Sequence, residues 1–215
     1  MVKLLMGCKS LDLKKKNDAG HTALHLAAIH GRLPIMEYLL HKSLDRLQHQ
    51  NFDQDSENAA CNQQMLPIHY AVLKNNKPMV EYLIGQKADE IYFGAFRSKI
   101  SDCNTEPEKE KVIKQHREKK AKYFKNNDEK IAQIQKELVN KPQQDLFTSV
   151  LYACHRGNLP ILELLEEYGG DVELTSRNRV SCLHLACASG NLDLVKHLIL
   201  VRGMDPQIKS HVSGS

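Results

Sequence analysis

Apolar and small residues along this chain fall into pairs of short helical patterns. Leu24, Ala27 and Ala28 share one face of a predicted helix over about 22–30, and a second apolar pattern follows Pro34. A pattern of this length cannot bury its apolar face alone, so neighbouring pairs must pack on one another. Similar pairs begin near residues 66, 148 and 181. The sequence therefore predicts an all-α chain of stacked helix-turn-helix units.

The units are copies of one another at a fixed period. Ala153, Cys154, Gly157, Asn158 and Leu159 recur 33 residues later, at 186, 187, 190, 191 and 192. The first two units begin 44 residues apart, which is 11 more than the period, and the second and third begin 82 apart, which is 49 more. A period in this range is typical of a solenoid, and the excess lengths indicate two insertions.

Residues that end and begin helices recur at matching places in the units. The position after each first helix is held by Gly31, Asn75, Gly157 and Gly190. Glycine and asparagine most readily adopt the left-handed backbone that ends a helix. The second helices are predicted to open at Pro34, Pro78, Pro160 and Asp193. Proline lacks an N–H that has no partner in the first turn, and aspartate suits the positive helix terminus.

Three tetrapeptides at the start of these units carry a family signature, and they are Thr22-Ala-Leu-His25, Leu66-Pro-Ile-His69 and Ser181-Cys-Leu-His184. With the 33-residue period they resemble the ankyrin repeat. The resemblance implies an ankyrin-repeat solenoid, a single domain over 1–215. Its repeats fall at about 17–49, 62–89, 144–175 and 176–208, with a partial repeat at 1–16 and a charged helical insertion at 90–143 that interrupts the stack.

The chain departs from the ankyrin pattern at two kinds of position. The third repeat reads Thr148-Ser-Val-Leu151 and lacks the signature histidine. The turn glycine before the signature is present only as Gly20, because Gln64 and Arg179 stand at the matching positions. Non-glycine residues rarely adopt left-handed backbone, so irregular hairpin loops are expected before repeats two and four.

Both ends of the sequence resemble parts of further repeats. Val2-Lys3-Leu4-Leu5 is similar to the end of a second helix, and Ser215 falls about where a fifth signature is expected. The last second helix carries apolar residues where a terminal repeat has a polar outer face. We therefore expect the chain to be a piece of a longer repeat array.

Positive charge is concentrated in the predicted insertion. Residues 108–125 hold eight lysines and arginines and three glutamates, a net charge of +5, whereas the whole chain carries +4. A charge run is most often a solvated helix face, but this one has apolar residues at both ends and could dock on an acidic surface. The candidate docking residues are Lys114, Arg117, Lys119, Lys120 and Lys122. Beyond them, Ile131, Ile134 and Leu138 predict a further helix.

The six cysteines and the signature histidines favour structural roles. No two cysteines form a CxxC pair, so a zinc site is not expected, and free thiols indicate a reducing cytoplasmic location, with the nucleus left open. Cys154 and Cys187 are predicted to be buried at one position of successive first helices. His25, His69 and His184 recur one per repeat, and the resemblance implies that each bonds near the turn and links repeats. No metal or cofactor is expected.

Catalytic motifs are missing from the sequence. It contains no glycine-rich phosphate loop, no GxSxG and no HExxH. Glu163, Glu166 and Glu167 are predicted to form a solvated helix face. We therefore expect no enzyme activity and name no catalytic, cofactor-binding or metal-binding residue.

The resemblance implies a protein-binding surface made of hairpin tips and the ends of first helices. The residues at those positions are Asp18, His21, His30, Lys74, Phe147, His155, Arg156, Arg177 and Asn178. Arg156 and Arg177 are the first candidates, because arginine is enriched among interface hot spots. The cationic character of the set predicts a protein partner with some acidic character and no small-molecule substrate.

Three functions remain open from the sequence. The first is a non-catalytic protein–protein interaction module, a scaffold or adaptor segment of a larger intracellular protein. The second is the regulatory ankyrin region of a larger enzyme or ion channel. The third, which is less favoured, is electrostatic docking of the basic insertion on anionic lipid or nucleic acid, and a steep salt dependence of binding would indicate it.

Overall fold

Helices form the architecture of the part of the chain that the structure describes. The computed structural model describes residues 15–46, 61, 63–85 and 128–209. Its helices are α1 (Ala23–Ile29), α2 (Leu33–Arg46), α3 (Pro67–Leu73), α4 (77–85), α5 (Asp128–Asn140), α6 (Ser149–His155), α7 (Leu159–Glu167), α8 (Cys182–Ser189) and α9 (Leu192–Lys196), the last continued by a π-helical turn, His197–Val201. These ranges contain no strand, so the all-α prediction is confirmed.

Each repeat is a helical hairpin closed by a left-handed residue, as the sequence predicts. The backbone φ is +63° at Gly31, +54° at Asn75, +65° at Gly157 and +75° at Gly190. The second helices begin one residue earlier than predicted, so that Pro160 takes the second position of α7 after Leu159. Proline is still without cost there, because N–H groups throughout the first turn have no intrahelical partner.

The first helices stack directly on one another. Helix α1 packs on α3, α3 on α6, and α6 on α8. The large insertion therefore leaves the first helices of repeats two and three in contact. One continuous apolar core runs between the two layers of helices. Its largest fully buried side chains are Leu24, Met36, Leu40, Leu66, Ile68, Met79, Ile84, Leu151, Ile161, Leu162 and Leu165.

The hairpins before the first helices are regular, and the expectation that two of them are irregular is wrong. Gln64, Leu146 and Arg179 adopt left-handed φ values of 57°, 62° and 56°, close to the 77° of Gly20. The same two hydrogen bonds close each hairpin; Cys61 N–H donates to Met65 O and Gln64 N–H to Cys61 O, at 3.0 and 2.9 Å. The hairpin geometry is kept although the residue types oppose it.

Helix α5 is the described end of the predicted insertion. It contains Ile131, Ile134 and Leu138, whose spacing predicts it, and it has acidic residues in its first turn. Its Asn140 side chain donates to the Gly169 carbonyl oxygen at 2.8 Å and accepts from Asp171 N–H at 2.8 Å, while Val139 is fully buried. The helix is thereby fixed to the end of α7. Residues 1–14 of the predicted partial repeat 1–16 and residues 86–127 lie outside the described ranges.

The second helix of repeat four is one residue longer than that of repeat three. The loop glycines after the first helices, Gly157 and Gly190, are 33 residues apart, whereas the left-handed Gly169 and Gly203 that follow the second helices are 34 apart. The extra residue is taken up by the π-helical turn, in which Arg202 N–H donates to His197 O. A π-turn is how a helix absorbs a single inserted residue.

Candidate partner-binding surface

The hairpin tips of neighbouring repeats are joined in register. Gln144 N–H donates to Gln63 O at 3.4 Å, and Arg177 N–H donates to the equivalent Asp145 O at 2.9 Å. Peptide hydrogen bonds of this kind fix both the spacing and the orientation of consecutive tips. The side chains at the tips therefore form a row on one face of the stack, which we call the hairpin face (17–21, 63–65, 143–147 and 176–180).

Two of the three signature histidines, His25 and His69, link repeats as the resemblance implies. Thr22 N–H donates to His25 Nδ1 at 3.2 Å, which leaves the proton on Nε2 to donate to Met65 O at 3.0 Å. His69 likewise accepts from Leu66 N–H at 3.1 Å and donates to Lys141 O at 3.0 Å. Each imidazole thus caps its own helix and bonds to a later backbone carbonyl. His25 bonds to the hairpin of repeat two, and His69 bonds to the segment just before the hairpin of repeat three.

Burial favours the neutral form of these two imidazoles. Desolvation lowers the pKa of His69 to about 4 and also lowers the pKa of His25, in each case against the opposing effect of a backbone carbonyl acceptor. A backbone N–H already points at Nδ1, so a second ring proton would face a donor. His184 accepts from Ser181 N–H at 3.2 Å and completes the same turn in repeat four.

The loops between first and second helices form a second row at the opposite end of the first helices. Asn76 Nδ2 donates to Gly31 O at 3.5 Å, and Asn191 Nδ2 donates to Gly157 O at 2.7 Å. These side chains also cap their second helices. Their amides tie the loop of repeat two to that of repeat one and the loop of repeat four to that of repeat three. This role was not predicted from the sequence, although asparagine at the position after the loop residue is a capping signal.

The structure leaves most of the sequence-predicted binding residues exposed. The exposed residues lie at hairpin tips or at the ends of first helices. They are Asp18, His30, Lys74, His155, Arg156, Arg177 and Asn178. His21 and Phe147 are only half-exposed because each packs on a tyrosine. His21 Nε2 lies 2.9 Å from the Tyr70 hydroxyl, and the rings of Phe147 and Tyr152 are 5.3 Å apart.

Arg177 is tied to the hairpin before it, which the sequence analysis did not anticipate. Its Nη2 donates to Gln144 O at 2.8 Å, and Nη1 lies 3.9 Å from an oxygen of Asp145. A guanidinium with these bonds has fewer donors left for a partner. Arg156 makes no such bond to a described side chain and is the better of the two first candidates.

Tyr70 and Tyr152 are half-buried residues of this surface that were not predicted from the sequence. Burial raises the pKa of both phenols, and the Tyr70 hydroxyl also lies 3.6 Å from the Cys61 sulfur. With His21 and Phe147 they form an aromatic row beside the hairpin tips. The equivalence of positions 70 and 152 in the repeat is the signal that could have found them.

Two burial predictions are wrong. Cys154 is buried as expected, and a hydrogen bond to the Cys182 thiol together with burial raises its pKa, but Cys187 at the matching position is exposed. Glu166 is not solvated, since its side chain is only 4% exposed. It accepts from Arg202 Nε at 2.7 Å and pairs with His197 Nε2 at 2.9 Å, so it ties α7 to the π-helical turn.

Two kinds of functional feature, a metal-binding cluster and a membrane-spanning helix, are absent from the described residues. Within them, no three His, Cys, Asp or Glu side chains are grouped so that they could hold a metal ion. Within the same ranges, no helix has the length and apolar character that crossing a membrane requires. The candidate basic residues Lys114, Arg117, Lys119, Lys120 and Lys122 lie outside the described ranges.

Comparison with known proteins agrees with this geometry. A family model described as ankyrin repeats, in three copies, matches residues 1–92 and 121–210. The chain is 34% identical over 59 residues to Ankyrin repeat family A protein 2 of Mus musculus, which is 27% of this chain and 19% of that protein. It is 42% identical over 43 residues to the Notch-regulated ankyrin repeat-containing proteins of Homo sapiens and Xenopus laevis, which is 20% of this chain and 38% of each.

These matches cover well under two thirds of either relative. Ankyrin repeats generally mediate binding between proteins, and the family is generally non-catalytic. The resemblance drawn from the three signature tetrapeptides is confirmed, because the family model matches more than half of the residues. The chain belongs to the ankyrin-repeat family.

Proposed function

We propose that this chain is a non-catalytic adaptor module that binds a protein partner across its hairpin face, with further contacts from exposed residues that end its first helices. The observation that carries the proposal is the conformation of three successive hairpins. Gln64, Leu146 and Arg179 are all exposed and all hold left-handed backbone where Gly20 stands in the first repeat. Left-handed backbone costs a non-glycine residue ~1–2 kcal/mol.

Backbone hydrogen bonds within the hairpins hold this geometry, but the side chains of the three residues make no hydrogen bond or ion pair with another described residue that would offset the strain. Leu146 is 46% exposed, and an exposed leucine side chain contributes little to the stability of the fold. Backbone strain that the surrounding structure holds in place clusters at functional sites. Side chains at the tips are therefore the natural candidates for contact with a partner, together with the exposed Arg156.

The test is partner capture by the full chain, with the hairpin tips as the variable. Replacing Gln64, Leu146 and Arg179 with alanine should weaken the binding of a captured partner by ~2 kcal/mol or more if they are central. The matched control replaces Glu37, Glu81 and Glu163, which are exposed on second helices, and should leave affinity unchanged. An equal loss of affinity in both variants would contradict the proposed surface. So would an unchanged affinity in both variants when the fold is intact.

We also propose an intracellular, reducing location. Free thiols at Cys61, Cys154, Cys182 and Cys187 support it, because neighbouring thiols such as Cys154 and Cys182 persist best where glutathione keeps them reduced. Alkylation of the protein in fractionated cells tests this. Mass spectrometry should find these four cysteines unmodified by disulfide formation in the cytosolic or nuclear fraction, and a disulfide-bonded extracellular form would contradict the proposal.

A further inference from the structure

The loops between first and second helices carry concentrated positive charge. In repeats one to three these loops are 29–33, 73–77 and 155–159, and they contain no aspartate or glutamate. Their cations are Arg32, Lys74, Lys77 and Arg156, which we call the basic edge, and His30 and His155 lie beside them. Arg32, Lys74 and Arg156 are exposed and Lys77 is half-exposed. None forms an ion pair with a described acidic side chain.

Two of these cations stand where they weaken the fold. Arg32 immediately precedes α2, and Lys77 is the first residue of α4. The N-terminus of a helix carries partial positive charge, so a cation there is unfavourable. Lys74 and Arg156, by contrast, end α3 and α6, where the helix dipole favours them. Helix stability thus accounts for one pair of the four charges and opposes the other.

The charges also lie on consecutive loops of the stack. Their loops follow first helices that pack side by side, and Asn76 bonds the second loop to the first. Packed helices lie ~8–10 Å apart. An extended peptide advances ~3.3 Å per residue, so three of its residues span one repeat. In repeat four the loop 188–192 has no charged residue and Asp193 follows it, so the row ends at repeat three.

We infer that the basic edge binds an extended acidic segment of a protein partner, with carboxylates at about every third residue. The inference rests on the proposed function and names the chemistry of the partner. A peptide is favoured because it can place single carboxylates at this interval with neutral residues between them, whereas each strand of B-DNA carries a phosphate for every ~3.4 Å of helix axis and lipid headgroups present no fixed register. Carboxylates would receive charge-assisted hydrogen bonds from Arg32 and Arg156, in the bidentate geometry that guanidinium favours.

The test uses synthetic fluorescent nonapeptides and the full chain. One peptide places glutamate at every third residue among glycine and serine, and a second has the same composition with its three glutamates contiguous. Fluorescence anisotropy should show several-fold tighter binding of the spaced peptide, weakening as salt rises from 50 to 200 mM. Equal binding of both peptides, or tighter binding of single-stranded DNA or phosphatidylserine vesicles under the same conditions, overturns the inference.

Charge-removal variants locate the binding. Replacing Arg32, Lys74, Lys77 and Arg156 with glutamine should weaken the spaced peptide ~10- to 100-fold at low salt, as expected for the loss of several exposed ion pairs. The matched control, with Lys114, Arg117, Lys120 and Lys122 changed to glutamine, removes the same charge from 108–125 and should keep the preference for spacing. If the control loses binding and the first variant does not, the peptide binds the insertion and the inference fails.

A double variant separates binding from stability. Arg32→Gln with Lys77→Gln should lower peptide affinity while leaving the melting temperature unchanged or raised, since both cations oppose their helix dipoles. A purely structural role would move the melting temperature and not the affinity. If the four-residue variant still captures a protein partner that hairpin-face substitutions release, the proposed function stands and the basic edge is not its contact.

Discussion

The side-chain amide of Asn191 donates a 2.7 Å hydrogen bond to the carbonyl oxygen of Gly157, one repeat upstream. The same side chain accepts from Leu194 N–H at 3.1 Å and so caps the last second helix. One residue therefore begins α9 and fixes the loop of repeat four to that of repeat three. Asn158 makes the capping bond to Ile161 N–H at 3.0 Å and offers the matched comparison.

Substitution at these two asparagines should separate capping from repeat coupling. Asn191→Ala removes both bonds and should lower the free energy of unfolding by ~1–3 kcal/mol. Asn191→Asp keeps the cap but loses the donor, so it should cost ~1 kcal/mol. Asn158→Asp should be near neutral, because aspartate caps as well as asparagine does. Urea unfolding measures all three, and equal effects of Asp at 158 and 191 would rule out the coupling role.

The stability of the domain should decrease as the pH is lowered, because His69 titrates. Its folded pKa is about 4 against an ordinary value of 6.5, so between these values the unfolded chain binds more protons. The free energy of unfolding should therefore be constant above pH ~7 and fall by ~2–3 kcal/mol by pH 4.5, at 1.36 kcal/mol per pKa unit. His25 adds a loss of the same sign.

The measurement is urea unfolding at pH 7.5, 6, 5 and 4.5. His69→Gln serves as the control, because it keeps a donor near Lys141 O but cannot titrate in this range. The variant should be less stable at pH 7.5 and show a shallower fall toward pH 4.5. A fall as steep as in the parent chain would mean that other groups carry the pH dependence.

Local residue types predicted the helical hairpins well, because the same backbone demand recurs in every repeat. Gly31, Asn75, Gly157 and Gly190 satisfy that demand by their own preferences, so the sequence alone locates the ends of the first helices. Gln64 and Arg179 do not, and there the prediction was wrong. Bonds within and between hairpins, such as Arg177 N–H to Asp145 O, override the preference of the single residue.

Burial was harder to predict than secondary structure, because it depends on residues that are distant in sequence. Cys154 and Cys187 are equivalent by period, yet Cys154 is covered by Cys182 of the next repeat and no described helix packs beyond Cys187. Glu166 is charged, and its type predicts solvent exposure. Its partners lie 31 and 36 residues later in a turn whose π geometry no local pattern indicated.

The strained hairpin of repeat three should be improved by glycine. Leu146 has a left-handed φ of 62° and an exposed side chain, so Leu146→Gly should raise the free energy of unfolding by ~0.5–1 kcal/mol. Leu146→Ala keeps the strain and should not stabilise, which makes it the matched control. Thermal unfolding distinguishes the two. A glycine variant that is less stable than the alanine variant would show that the hairpin is not strained.

The π-helical turn of repeat four should tolerate the deletion of one residue. Its extra residue relative to repeat three leaves Leu200 77% exposed, while the Gly203 loop keeps the left-handed geometry of Gly169. Deleting Leu200 lets the turn relax to an α-helix with the loop already in place, and His197, which pairs with Glu166, precedes the deleted site.

The melting temperature of the Leu200 deletion should stay within a few degrees of the parent chain, since that corresponds to a change of only ~1 kcal/mol in a domain of this size. The control is deletion of Glu167, the exposed residue at the matching position of the regular helix α7. That helix has no residue to spare, so Gly169 must shift and the bond from Asn140 to its carbonyl oxygen is broken. The control should therefore melt well below the Leu200 deletion. Similar losses in both variants would mean that the π-helical turn is packed as tightly as an ordinary helix and that its extra residue is required.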